Sequence, residues 1–239
     1  MKINFSRIKS YFSIVFMTII YFTPIHAQYD PVINYLQQVG DNAEIFNGRM
    51  EVNYNIIQYK NFPYYMNSDY AEATIIYRNN YYPNQKVRLD LYKEQLILLP
   101  PEKQYGVIIN FRDVDKVYMY NKTFVRLIPP KASGLKQGFY IQLFEKDNIQ
   151  LYRKEYFSFV QKEIIYSGFE LGIRYYLSYN NLFYLVKNKG SFTKLFPQFK
   201  KQINKYSKDN KLNFKQNADE SFTSLAGYCE ELITSTNKQ

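Results

Sequence analysis

The chain has 239 residues, with 31 lysines and arginines against 21 aspartates and glutamates, a formal charge of +10, and 19% aromatic residues without a tryptophan. Its single cysteine, Cys229, excludes an intramolecular disulfide, and with the single histidine, His26, cannot fill a zinc shell of His and Cys. A serine–histidine or cysteine–histidine mechanism is left with one candidate base, at position 26.

Residues 1–27 read as a signal peptide. Lys2, Arg7 and Lys9 make a basic start, Tyr11 to Phe22 is an apolar run, and Thr23-Pro24-Ile25-His26-Ala27 breaks the helix before a cut between Ala27 and Gln28. The run is too short for a spanning helix, which needs about 20 apolar residues. Cleavage removes three cations, which takes the charge to +7, and it removes His26 as well. The mature chain is therefore expected to be periplasmic, or associated with the outer membrane, of a Gram-negative bacterium, without an integral span. There a basic protein meets no nucleic acid. Its acidic partners are lipid headgroups or anionic glycans. No basic run exceeds two residues, so a solvated surface of scattered lysines is the plainer reading.

The mature chain opens with a helical segment, 28–48. Val32, Ile33, Leu36 and Val39 recur near 3.6, with Asp30 as cap, Pro31 at the first helical position and Gly40 as stop. From 49 to 188 the apolar period is two. Val87, Leu89 and Leu91 alternate with Lys86, Arg88 and Asp90 as in a half-buried strand, and Phe139-Ile141-Leu143, Ile149-Leu151, Ile173 to Tyr179 and Leu182 to Val186 continue the pattern. Asn79-Asn80, Asp147-Asn148 and Asn180-Asn181 separate such runs, and Asn and Asp tolerate the positive φ of tight hairpins. The region reads as an antiparallel meander of nine or ten strands, curled into a half-barrel or barrel. Asn121-Lys122-Thr123, formally a glycosylation acceptor, reads as a turn inside it.

After Gly190 the period returns to helical. Phe192, Leu195, Phe199, Ile203 and Tyr206 share one face of a lysine-rich helix, in which Pro197 is tolerable only because it lies near the start. Phe222, Leu225, Cys229 and Leu232 share one face of an acidic helix capped by Asn217 or Asp219. The two, in 189–239, are expected to pack on the sheet, so the fold class is α+β. Cys229 falls on the apolar stripe as a small buried hydrophobe.

Neither a phosphate loop, nor a dinucleotide fingerprint, nor a calcium loop occurs, so no cofactor or metal is expected. Carboxylate chemistry needs no histidine, and Asp113 with Asp115, or Asp69 with Glu72, are the compact acid pairs. Asp113-Val114-Asp115-Lys116 reads better as a turn. No catalytic residue is assigned, and the ligand-binding residues and oligomeric state stay open.

Asn47-Gly48-Arg49, Ala73 to Tyr82, Val87 to Tyr92, Gly138-Phe139-Tyr140 and Phe192 to Phe196 together resemble a group of uncharacterised exported proteins of Bacteroidota. The departure is at Leu89-Asp90-Leu91, where the group often carries Tyr-Asp. The resemblance implies a periplasmic or surface location and no activity. The leading expectation is a non-enzymatic envelope protein that binds a partner protein, lipid or glycan. The alternatives are a carboxylate-dependent glycan hydrolase and a small outer-membrane β-barrel.

Overall fold

The structure is a computed structural model, and it describes residues 31–54, 59, 61–130, 135–161 and 167–236. Ala27, Gln28, the leader and the cap position Asp30 lie outside the described residues.

Helix α1 (Pro31–Val39) and two short 3-10 turns lead into β1 (Arg49–Met50). The strands that follow are β2 (Ala71–Tyr77), β3 (Asn80–Asp90), β4 (Gln95–Leu98), β5 (Val107–Ile108), β6 (Val114–Met119), β7 (Lys122–Leu127), β8 (Gly138–Glu145), β9 (Ile149–Gln161), β10 (Ser167–Tyr179) and β11 (Leu182–Val186). They form one eleven-stranded sheet in the order β1-β5-β4-β3-β2-β6-β7-β8-β9-β10-β11, antiparallel throughout. The antiparallel sheet is as expected, but it has more strands than the nine or ten read from the sequence. The extra ones are β1 and β5, two residues each, too short to show a period. The order leaves β1 and β11 as two edges, whereas a membrane barrel needs a closed ring.

Hairpin chemistry explains the register. Asn180 and Asn181 (φ 53° and 59°) make the β10–β11 turn with the twist that tight hairpins require. The β2–β3 turn uses Arg78 and Asn79 (φ 48° and 62°), one residue earlier than the Asn79-Asn80 expectation. Tyr120 and Asn121 (φ 51° and 55°) turn β6 into β7, so the glycosylation-like sequence lies at a turn.

The sheet is curled. β3 and β9 are five steps apart in strand order, which in a flat sheet is about 24 Å. Yet the Phe157 N–H of β9 donates to the Leu91 carbonyl at the end of β3 (3.4 Å). The turn between β3 and β4 reaches β8 and β9 at the point where these two strands part. Their pairing runs from Glu145 and Gln150 only as far as Ile141 and Arg153. Beyond it, the Phe139 N–H donates to a Glu94 carboxylate oxygen (3.0 Å), and Lys154 Nζ donates to Glu94 Oε1 (2.5 Å) and to the Phe139 carbonyl (2.9 Å). Glu94 holds a left-handed backbone (φ 54°) there. A Cβ on Gly138 would sit 2.5 Å from Glu94 Oε2 and 2.7 Å from Lys154 Nζ, so the ion pair occupies the space of the missing side chain.

One core lies inside the curl and contains Ile75, Tyr77, Val87, Leu89, Val117, Phe124 and Phe139. A second lies between Ile149, Leu151, Leu177 and Val186 of the sheet and the C-terminal helices. A third, on the opposite face, groups Val125, Leu135, Tyr140 and Tyr152.

The single helix expected across Phe192 to Tyr206 is instead α2 (Lys189–Leu195), a 3-10 turn (Pro197–Phe199) and α3 (Lys200–Asp209). Proline lacks the N–H that an interior turn needs, so the helix restarts at Pro197. Phe192, Phe196, Phe199 and Ile203 are still all buried against the sheet. The acidic helix is α4 (Ala218–Thr236). It meets α3 through stacked Tyr206 and Tyr228 rings (4.0 Å) and the Tyr206–Ser224 hydroxyl pair (2.9 Å). Asp219, considered as its cap, is instead paired with Arg153 of the sheet (2.5 Å) and accepts the Tyr175 hydroxyl (2.7 Å).

Cys229 is fully buried on α4, and burial pushes its thiol up to about 12. A thiol raised this far stays protonated and covered at pH 8. The native protein is therefore expected to be silent to Ellman's reagent and to release one equivalent once guanidinium unfolds it. A fast native reaction would contradict this packing.

Candidate functional site

An apolar groove of 530 Å³ lies between α1 and the start of the sheet. It begins with a bulge. Ala73 pairs with Gln85 but Ile75 with Tyr82, so β3 carries one residue more than β2 across the same span. The surplus falls at Pro83-Asn84, with Asn84 left-handed (φ 55°). A proline fits a strand where it need not donate to the ladder, and a bulge bends the strand locally. Pro83, Asn84, Gln85 and Lys86 make one wall of the groove. Leu99-Pro100-Pro101, which follow β4 and are tied back by the Leu99 N–H to the Lys86 carbonyl (2.9 Å), make another.

The third wall is α1. Its apolar stripe is amphipathic as the sequence predicts, but none of its residues is fully buried, and Ile33 remains 40% exposed. Val32, Tyr35 and Leu36 pack against the inner core, and the Tyr35 hydroxyl accepts the Glu44 N–H (3.0 Å). Ile33 and Leu36 of α1, with Phe46 of a 3-10 turn that follows, thus line a groove that the helix leaves unfilled. The polar lining is Gln37, Asn84, Gln85 and Lys86. Gln85 donates to the Pro83 carbonyl (2.7 Å), and Lys86, the one charged residue among these, is exposed at the edge of the groove.

Beside the groove, on the face of β3 that Lys86 shares with Arg88 and Asp90, Lys86 alone is solvated as a half-buried strand predicts. Residues 51–54 and 61–70 lie over that face. Arg88 donates to Glu51 Oε2 (2.5 Å), to Asn53 (3.1 Å) and to the Ser68 carbonyl (2.8 Å). Its guanidinium lies 4.3 Å from the Tyr64 ring and 4.5 Å from the Tyr70 ring, and both hydroxyls donate to Glu51. Burial, then the Glu51 charge, pushes the Tyr70 hydroxyl up to about 12. Asp90 accepts the Tyr54 hydroxyl (2.7 Å) and the N–H groups of Tyr92 and Lys93 (2.9 and 2.8 Å). Burial raises the Asp90 carboxyl above its usual range. Each of these groups is engaged within the protein, so we read the cluster as a fastening for the covering segment.

The acid pairs singled out in the sequence do not converge. Asp113 ends a 3-10 turn and accepts Arg78 (2.9 Å), Asn110 (2.9 Å) and Tyr77 (3.4 Å); the Arg78 hydrogen bond holds its carboxyl below the usual range. Asp115 lies in β6, not in a turn, and pairs with Arg126 (3.1 Å). Asp69 is exposed in a loop that its N–H closes onto Asn67, and Glu72 is exposed on β2. Among the described residues no group of three His, Cys, Asp or Glu side chains is placed to hold a metal ion, and no helix is long and apolar enough to cross a membrane.

The sequence held one signal for the groove, a proline inside a strand pattern at Pro83. Nothing local marked Leu99-Pro100-Pro101 as its second wall. No protein-family model matches the chain, and no curated protein or solved structure matches it.

Proposed function

We propose that the chain is a non-enzymatic exported envelope protein that holds a single-chain anionic amphiphile, a lipid or fatty acid, in the groove between α1 and β3. The observation that carries this reading is the combination of an unfilled apolar groove with Lys86 among its lining residues. Its 530 Å³ falls in the range of about 300–1,000 Å³ typical of small-molecule sites. The exposed stripe of α1 supplies apolar surface that an acyl chain would cover, and the lysine supplies the counter-charge for a headgroup. The charge of +7 expected for chain 28–239 favours the same sign of ligand.

Titration of a fluorescent fatty-acid analogue into chain 28–239 tests this. Saturable binding is expected, with Leu36→Arg abolishing it and Lys86→Glu weakening it several-fold. Unchanged binding by Leu36→Arg, or no saturable binding by the parent chain, would overturn the reading.

A further inference from the structure

The β9–β10 hairpin is longer than its neighbours, and one side of β10 is left open. β11 pairs only with Tyr175 to Tyr179. At the other end, Tyr59 bridges Ser167, and the Asn61 side chain takes both backbone groups of Phe169, accepting its N–H and donating to its carbonyl at 2.8 Å each. Asn61 thus stands in for a neighbouring strand at Phe169. The β9–β10 register is unbroken from Ser167 to Tyr179, so backbone direction alternates without interruption. Phe169 faces away from β9, and therefore so do Leu171 and Ile173. Among the described residues no hydrogen bond reaches their N–H or C=O groups on that side.

Natural sheets protect such an edge with charged side chains, lysine above all, with proline or with a bulge. Residues 169–174 (Phe-Glu-Leu-Gly-Ile-Arg) contain no lysine, proline or bulge, and their two charges, Glu170 and Arg174, alternate to the face opposite Leu171 and Ile173. They present Leu171 and Ile173 instead, 51% and 48% exposed on one face. On the other face, the Tyr156 ring lies over Gly172, where a Cβ would meet it at 2.4 Å, and the Arg174 guanidinium sits 4.9 Å from the same ring. The edge thus offers an apolar face at Leu171 and Ile173.

We infer that this window of β10 receives an extended segment of a partner protein as an added β-strand. Backbone groups of Leu171 and Ile173 supply the pairing, and their side chains select apolar residues at alternate positions. The occupant is a strand because the free groups are a ladder half-made. It is not a second copy of β10, because the window is recessed. Asn61 closes it at Phe169 and β11 closes it at Tyr175, a span of roughly 20 Å. A second β10 carries the same two obstructions, which collide before the backbones meet. A single extended segment passes between them, with about three residues in register.

The test is selection of a phage-displayed random peptide library against chain 28–239, followed by amide hydrogen exchange with a selected synthetic peptide. Selected peptides are expected to alternate apolar and polar residues and to slow exchange at the Leu171 and Ile173 amides roughly tenfold. The double variant Leu171→Lys, Ile173→Lys changes half-exposed positions and should keep its circular dichroism and its fatty-acid titration, yet lose peptide binding roughly tenfold. The inference is overturned if selection yields no binder, if bound peptides leave those two amides unprotected, or if the double variant binds them as well as the parent. It is equally overturned if light scattering shows a dimer that the double variant dissociates.

Discussion

Replacing Lys154 by methionine is expected to lower stability by about 3 kcal/mol, or roughly 6–12 °C in Tm for a chain of this size. The Lys154 side chain is only 8% exposed and Glu94 25%, so truncating one partner leaves the other charge in a poorly hydrated place. Burial is the main cause shifting both groups, raising the Glu94 carboxyl and lowering the Lys154 ammonium, and their mutual attraction opposes both shifts. Without Lys154 that opposition is lost and Glu94 rises further. A carboxylate whose folded value lies above its unfolded one contributes stability that is present below the unfolded value and is lost as pH rises through the folded value. The loss in Lys154→Met is therefore expected to be smaller at pH 5 than at pH 8. Adding Glu94→Gln removes the uncompensated charge and should recover much of the loss. Urea unfolding of the parent, Lys154→Met and the double variant at both pH values checks this. A cost independent of pH, or no recovery in the double variant, would show that the pair does not fasten the β3–β4 turn between β8 and β9.

The second large effect is expected at Phe222. It is 1% exposed on α4 and packs against Tyr175 (4.4 Å), Phe214 (4.8 Å) and Phe192 (6.2 Å), so one ring joins the sheet to α2, to the loop before α4 and to α4 itself. Phe222→Ala removes a buried ring that nothing nearby can replace, a change that costs about 3–5 kcal/mol. The damage should be local first. Amides of α4 should exchange faster while those of β2, β3 and β6, which belong to the inner core, hold their protection. Equal loss of protection in both regions would mean that the two cores unfold as one unit.

The parts of the fold that could be read from the sequence are those written in local patterns. Strand alternation at Phe139-Ile141-Leu143 and the Asn180-Asn181 turn identify an antiparallel meander because side-chain direction and turn twist are local properties. The stripes Phe192-Phe199-Ile203 and Phe222-Leu225-Cys229 identify helices that cover a sheet. What could not be read depends on neighbours distant in sequence. Arg88 and Asp90 look like the solvated face of a strand, and only residues from 51–54 and 61–70, distant in sequence, cover them. Glu94 and Lys154 are 60 positions apart and meet only because the sheet curls. The groove shows the same division. Pro83 marks the bulge, and the apolar stripe of α1 marks a helix seeking cover, but nothing in either says that the cover is incomplete.

The most direct measurement on the amphiphile reading is native mass spectrometry of chain 28–239 released from envelope without detergent. The expected spectrum shows the protein with one acyl-chain adduct. The adduct should be absent from Leu36→Arg prepared in the same way and retained in the Leu171→Lys, Ile173→Lys variant. Bare protein in the parent sample, still bare after incubation with an anionic single-chain lipid, would contradict it.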